Sequence, residues 1–281
     1  MKCYYHNDLD GRCAGSIVYN FIDELLRKAE NLEMIEIDYK DNINVDVIEK
    51  DEQLYIVDFS FKPEVMEKVL QKTNNIIWID HHKTADEYKY SQEIKGLRIT
   101  ENKKYSGCEL TWMFFYPNEK IPTFVKLIGD RDKWAWKFGR ETALFNQGIK
   151  ICPHQPQDKI WDELFDVERV RRIQEDGIIC EKFRDSFCKD YVDSYGFETE
   201  FEGHKCFALG IYMFGSEAFG KRFNQYDICL SFVYLGDKWT IGLYSEKIDV
   251  SVIAKKYGGG GHKGASGFVS DSLPFKKASV L

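Results

Sequence analysis

Short apolar runs that each stop on an acid or a histidine constrain this chain more than any other feature. "KCYYH" (2–6), "LYIVD" (54–58) and "IIWID" (76–80) are such runs, and "EMIEIDY" (33–39) is a fourth strand-like stretch. Runs of this length match buried strands and are too short for helices. Between them, "GRCAGSIVYNFIDELLRKAE" (11–30) and "PEVMEKVLQK" (63–72) read as helices, the second opened by Pro63 at a position where proline is favoured. Strands alternating with amphipathic helices predict βαβ units and an α/β, doubly wound parallel sheet.

In an open α/β sheet the ligand crevice lies outside the carboxyl ends of the strands. His6, Asp8 and Asp10 follow the first strand, Asp58 closes another, and Asp80, His81 and His82 close a third. Three strand ends therefore aim acids and imidazoles at one place. Left to itself such a cluster raises its own carboxyl pKa values, and a divalent cation relieves the repulsion. Carboxylate and imidazole without thiolate suit Mn²⁺ first, then Mg²⁺ or Co²⁺. The candidates outnumber the ligands of one tetrahedral zinc site. They fit two divalent metal ions sharing a bridging carboxylate, an arrangement that hydrolyses phosphate esters.

The 281 residues exceed one typical domain, and the texture changes along them. "YSGCELTWMFFYP" (105–117) predicts a helix capped by Ser106 with Glu109 three residues on. "IPTFVKLIGDRDKWAW" (121–136) predicts a helix running into a charged turn. The stretch from 156 to 193 is helical and charged. From about 196, strand-like segments return around "SEAFGKRFN" and "DVSVIAKKY", which read as helical. The expected division is a first domain over 1–150, a helical linker over 151–195, and a smaller mixed-sheet α/β domain over 196–281.

Charge and cysteine content narrow the partners. The net charge is −7, with no basic stripe of the kind that tracks a long nucleic acid. An anionic substrate is then small, or its charge is met locally by metal ions. The eight cysteines form no CxxC pair and read as free thiols of a reducing compartment. The opening residues show no apolar run of a signal peptide, and no stretch approaches the ~20 apolar residues of a membrane span. A cytoplasmic protein without a membrane partner is expected.

Five segments together resemble the DHH phosphoesterase superfamily. "HNDLDG" (6–11), "VDFS" (57–60), "IDHH" (79–82) and "IGDRD" (128–132) are similar to its four motifs, and "GGGGHKGASGF" (258–268) to the glycine-rich motif of the DHH-associated C-terminal domain. They stand in family order over nearly the whole chain. "HNDLDG" looks most like the nano-RNase B branch. The resemblance implies that His6 and Asp8 bind one metal, and that Asp10, His81 and the aspartate of "GDRD" bind the second. Asp58 would bridge. The preceding glycine matches the "GDRD" ligand to Asp130, with Asp132 as the fallback. It further implies that His82 contacts substrate phosphate and Asp80 orients its neighbours. Gly259, Gly260, Gly261 and His262 would hold the substrate end, glycine allowing backbone N–H groups to approach phosphate closely. The chain departs from the pattern at "GLYSEKIDVS", where Tyr244 precedes Ser245 in place of an arginine. A tyrosine there would stack on a base.

Some residues keep two meanings. Arg131 pairs with phosphate or with a nearby acid. Trp134 and Trp136 stack a base or pack in a core. His154 and His204 read as structural, the cysteines as inert, and Asp41, Asp46 and Asp51 as a solvated charge run. The expected function is hydrolysis of short oligoribonucleotides to nucleoside 5′-monophosphates. The alternative substrates are adenosine 3′,5′-bisphosphate and linear or cyclic dinucleotides, and the non-enzyme alternative is a nucleotide-binding regulator. A regulator that had lost catalysis should lack a ligand, and all six positions are filled. Monomer and homodimer both stay open.

Overall fold

Alternation along parallel strands builds the first half. In a computed structural model that describes residues 1–26, 31–39, 41–82, 86–100, 104–212 and 214–276, β1 (Lys2–His6), β2 (Glu33–Ile37), β3 (Leu54–Val57), β4 (Ile76–Asp80) and β5 (Lys95–Arg98) form a parallel sheet of order β2-β1-β3-β4-β5. Successive side chains of a strand point to opposite faces. Cys3, Tyr5, Val57 and Ile79 thus enter a core with Ala14, Ile17, Val18 and Leu110. Tyr4, Leu54, Ile56 and Trp78 enter a second core with Met66 and Val69. The helices behind these cores are α1 (Leu9–Leu26), α2 (Pro63–Leu70) and α3 (Gly107–Phe115). Residues 27–30, the expected end of the first helix, lie outside the described residues.

The sheet is doubly wound, as expected, and its order reverses between β1 and β3. That switch point is where a crevice opens at the carboxyl ends. β5 was not foreseen. Its "KGLR" carries two cations and no apolar run, as an edge strand tolerates. Gly96 holds a φ of +152°, and a Cβ there would lie 1.8 Å from the Trp78 carbonyl oxygen, so only glycine fits beside β4. α4 (Thr123–Asp132) and α5 (Arg140–Gly148) follow. α4 stops at Asp132 and gives way to the expected charged turn, in which Trp134 and Trp136 adopt φ values of +57° and +53°.

The short α6 (Ile160–Glu163) precedes α7 (Val167–Tyr195), a single helix of 29 residues. The chain forms two compact units, Met1–Ile179 and Cys180–Leu281, with the boundary inside α7. In the second unit β6 (Phe197–Phe201), β7 (His204–Leu209), β8 (Ile228–Tyr234), β9 (Trp239–Tyr244), β10 (Gly260–His262) and β11 (Ala265–Ser270) make a mixed sheet of order β10-β11-β9-β8-β7-β6. Only β7 and β8 pair in parallel. α8 (Val250–Lys256) is capped by the Asp249 side chain and packs Val250, Ile253 and Ala254 against this sheet. Gly215–Gln225, which includes the expected helical stretch "SEAFGKRFN", forms 3₁₀ turns broken at Gly220, whose φ is +48°. All eight cysteines are free. No helix among the described residues is long and apolar enough to cross a membrane.

Candidate metal centre

The "HNDLDG" turn joins β1 to α1 and sets the first acids. The Gly11 N–H donates to Asp8 Oδ1 at 2.9 Å, and His6 Nδ1 lies 2.9 Å from Asp8 Oδ2. A Cβ at Gly11 would stand 2.2 Å from the His6 carbonyl oxygen, so the turn has no room for another residue. Asp10, in the first turn of α1, is held from the far side. It accepts from Ser106 Oγ at 2.8 Å, from the Gly107 N–H at 2.7 Å and from the Cys108 N–H at 3.3 Å. The N-terminus of α3 thus supplies unpaired N–H groups and a positive dipole end to a buried carboxylate. Ser106 also donates its own N–H to Glu109 at 2.9 Å, the capping pair expected from the sequence.

Asp58 follows β3 with a φ of +54°, a conformation costly for a residue with a side chain. Its N–H still donates to the Ile79 carbonyl at 2.9 Å, so the turn is clamped to β4. The side chain is 1% exposed. Gly107 leaves it space, since a Cβ there would meet Asp58 Oδ1 at 2.3 Å. His81 Nε2 lies 3.2 Å from Asp58 Oδ1, 3.4 Å from Asp132 Oδ2 and 3.9 Å from Asp10 Oδ2. His6 Nδ1 lies 3.9 Å from Asp58 Oδ2. Two groups of donor atoms result, His6–Asp8–Asp58 and Asp10–His81–Asp132, and Asp58 also groups with His81 and His82.

The electrostatics show what this arrangement lacks. Both Asp58 oxygens, His81 Nε2 and Asp132 Oδ2 are buried without a hydrogen-bond partner among the described residues. Such atoms are rare in folded proteins and call for an explanation. Burial, then Asp10, Asp8 and Asp132, pushes the Asp58 carboxyl well above the usual carboxylate range. Burial, Asp10 and Asp8 do the same to Asp132. Burial and His82 lower His81, which favours the neutral imidazole that binds metals. Oxygen and imidazole donors, mutually repelling and unpaired, fit divalent cations.

Asp132, and not the expected Asp130, is the "GDRD" acid that joins this group. Neighbours two apart on a helix point about 200° from one another, so only one of the two can face His81. The Asp130 carboxylate accepts from the Lys137 N–H at 2.8 Å, the Phe138 N–H at 3.2 Å and the Thr142 hydroxyl. Asp130 clasps the turn after α4. The glycine used to match it serves packing, for a Cβ at Gly129 would meet Ser106 Oγ at 2.6 Å.

The family profile described as "DHH family, N-terminal domain" matches this part of the chain. The match spans residues 3–128. A curated relative, "Uncharacterized protein R106" of Acanthamoeba polyphaga mimivirus, is 26% identical over 293 residues and matches 99% of this chain. The chain spans 61% of that relative's length. Among solved structures, the DHH domain of a protein assigned to a family of ribosomal proteins is similar with a TM-score of 0.59 and 14% identity, over 96% of this chain and 82% of that one. RecJ from Thermus thermophilus, in complex with Mn²⁺, is similar with a TM-score of 0.51 and 12% identity, over 96% of this chain and 49% of that one. At such identities these likenesses establish the fold.

Within the matched segment, Asp80 is fully engaged by protein. Its Oδ1 accepts the His81 N–H at 2.7 Å and the His82 N–H at 3.1 Å and lies 2.8 Å from His82 Nδ1, while Ser60 Oγ donates to Oδ2. Burial works against a charged His82, but Asp80 and more distant acids outweigh it and raise the imidazole to about 9. Tyr39 and Phe59, which the sequence did not single out, line the same mouth. Tyr39 lies 5.5 Å from His6 and 5.9 Å from His82 between ring centroids.

The remaining expected residues lie elsewhere. The Arg131 guanidinium sits 4.1 Å above Trp134 and 5.2 Å from Trp136. Trp134 is 37% exposed, so it is not a core residue. In the second unit, Gly259, Gly260, Gly261 and His262 run into and along β10. Ser245 Oγ donates to the Asp227 carbonyl at 2.6 Å and accepts from the Lys247 and Ile248 N–H groups. Tyr244 packs 6.0 Å from Phe219.

Proposed function

We propose that this chain is a two-metal phosphodiesterase that hydrolyses short oligoribonucleotides to nucleoside 5′-monophosphates. The observation that carries it is the set of buried, unpaired atoms on Asp58, His81 and Asp132 at the switch point of the sheet. His6, Asp8 and Asp58 would hold one ion, and Asp58, Asp10, His81 and Asp132 the other, with Asp58 shared. When bound, two divalent cations supply positive charge against the scissile phosphate and make a nucleophilic water available near neutral pH. Mn²⁺ is the proposed ion on donor chemistry.

The chain's own groups do the rest. The α3 N-terminus fixes Asp10, and the Asp58 turn is clamped to β4, so the cage is formed before anything binds. Asp80 orients the His82 ring, whose N–H can then donate at the phosphate or the leaving oxygen. The short substrate follows from charge: at −7 the chain has no track for a long polyanion. Gly259, Gly260, Gly261 and His262 are proposed to contact substrate, and Arg131 with Trp134 is a second candidate contact.

The test is a product assay with Mn²⁺ over di- to decanucleotides, adenosine 3′,5′-bisphosphate and cyclic dinucleotides. Mononucleotide release that falls steeply beyond roughly five nucleotides and depends weakly on salt is expected. Processive degradation of long RNA with steep salt dependence would overturn the short-substrate reading. Turnover in excess chelator without bound metal would overturn the mechanism.

A further inference from the structure

We propose that Tyr39 is a nucleobase-stacking shelf at the rim of the metal cage and that it selects nucleotide esters over inorganic phosphates. The proposal rests on the phosphodiesterase reading of the site. Tyr39 follows β2, the edge strand next to β1, and so stands at the carboxyl end of the sheet beside His6. One face of its ring is supported, stacked on Phe59 at 4.5 Å between centroids and 29° between planes. Phe59 itself follows the shared ligand Asp58 and is buried. Tyr39 is tilted by 58° to the His6 ring and by 79° to the His82 ring, and the residue is 41% exposed.

The ring is also held in place. The Tyr39 N–H donates to Asp38 Oδ1 at 2.6 Å, the Asp38 N–H to Asp41 Oδ2 at 2.8 Å, and the Asp41 N–H to the Asp38 carbonyl at 2.9 Å. The Asn7 N–H ties the end of β2 to the turn after β1 through the Ile37 carbonyl at 3.0 Å. This turn uses its acids to fix its own backbone, so Asp41 belongs to it rather than to a loose charge run. A partly exposed aromatic residue, stacked on Phe59 and carried by a hydrogen-bonded backbone, is pre-organised for a second planar partner. Its ring centroid lies 5.5 Å from His6 and 5.9 Å from His82, within the reach of a nucleotide bound beside them. A nucleotide whose phosphate binds at the cage would bring its base against Tyr39. Stacking of this kind tolerates any base, because every base has a π-face. Pyrophosphate and polyphosphate gain nothing from it.

The experiment uses the full chain loaded with Mn²⁺. Steady-state kinetics are measured for a 5′-phosphorylated ApA dinucleotide and for the same molecule with each base removed in turn, in wild type, Tyr39→Ala and Tyr39→Phe. Tyr39→Ala should raise KM for ApA about tenfold, equivalent to ~1.4 kcal/mol, and leave KM for one of the abasic forms unchanged. Tyr39→Phe should retain the wild-type KM, and bound Mn²⁺ should be the same in all three proteins. An equal rise for ApA and both abasic forms, or loss of metal in Tyr39→Ala, would overturn the shelf and leave Tyr39 as packing for the histidines. Wild-type cleavage of all three substrates at one KM would overturn the shelf while the phosphodiesterase reading stands. Wild-type hydrolysis of tripolyphosphate with none of the dinucleotides would remove that reading and the shelf with it.

Discussion

The strand-end cage of the first unit and the glycine-rich loop of the second differ in how their polar and steric needs are met. In the cage, both oxygens of Asp58, one oxygen of Asp132 and a nitrogen of His81 are buried without hydrogen bonds. In the loop, the local sheet accounts for Gly258, Gly259 and Gly261, though not for Gly260 or His262. A Cβ at Gly259 would meet the Gly267 carbonyl oxygen at 2.1 Å, Gly258 and Gly261 hold φ values of +75° and +131°, and Ser266 Oγ donates to the His262 carbonyl at 2.7 Å. The contrast teaches that unmet groups mark where a ligand is needed, whereas an unusual sequence can serve the fold alone. Substitutions in the cage should change metal and activity, and those in the loop should first change stability.

The sharpest way to break the contrast is Asp58→Ala. A residue shared by two ions should cost on the order of 10³-fold or more in kcat, by analogy with loss of a preorganised charge-stabilising group. Bound Mn²⁺ should fall at the same time. Near-normal turnover with Asp8→Ala and Asp10→Ala inactive would mean that the shared position is elsewhere. Asp80→Asn comes next. It touches no proposed ion, and loss of its hold on His81 and His82 should cost about 10- to 100-fold in activity or metal affinity. An effect as large as that of Asp58→Ala would make Asp80 a ligand.

Stability against pH sharpens the same comparison. The Asp58 carboxyl is raised in the folded state, so it contributes stability below its unfolded pKa, and that contribution is lost as pH rises through the folded value. Asp80, lowered to about 2, does the opposite, and its contribution is lost only as pH falls toward that value. Metal-free wild type should therefore lose Tm on going from about pH 4 toward neutrality, relative to Asp58→Asn. Mn²⁺ should abolish that difference in slope. Parallel Tm curves for the two metal-free proteins would show that the cage stores no repulsion. The smallest expected effect is Gly259→Ala, which should destabilise the second unit by about 1–3 kcal/mol through overpacking and leave metal content unchanged. Lost metal at full stability would mean that the loop serves the cage rather than the sheet.

How far the sequence spoke depended on whether a position is governed by its own segment. Apolar runs ending in Asp58 and Asp80 announce buried parallel strands, and the Ser106–Glu109 cap announces the start of α3, because each is a local pattern. β5 was hidden because an edge strand such as "KGLR" needs no apolar run. That Ser106 and Gly107 also grip Asp10, 96 and 97 positions away, belongs to tertiary contact and leaves no local trace. Gly129 is no landmark for the ligand in "GDRD", because helix rotation decides which of Asp130 and Asp132 faces His81. Tyr39 was read as the end of a strand. Its exposure and its ring contacts with Phe59 and His6 depend on a turn locked by Asp38 and Asp41, which no periodicity shows.

Counting bound ions tests the central claim most directly. After metal removal and titration with Mn²⁺, calorimetry or elemental analysis should find two ions per chain in wild type and fewer in Asp132→Asn. Asp130→Asn should keep both ions but lower Tm, since the Lys137 and Phe138 N–H groups lose part of their acceptor. No bound ion in wild type, or loss of metal in Asp130→Asn with Asp132→Asn intact, would contradict the account.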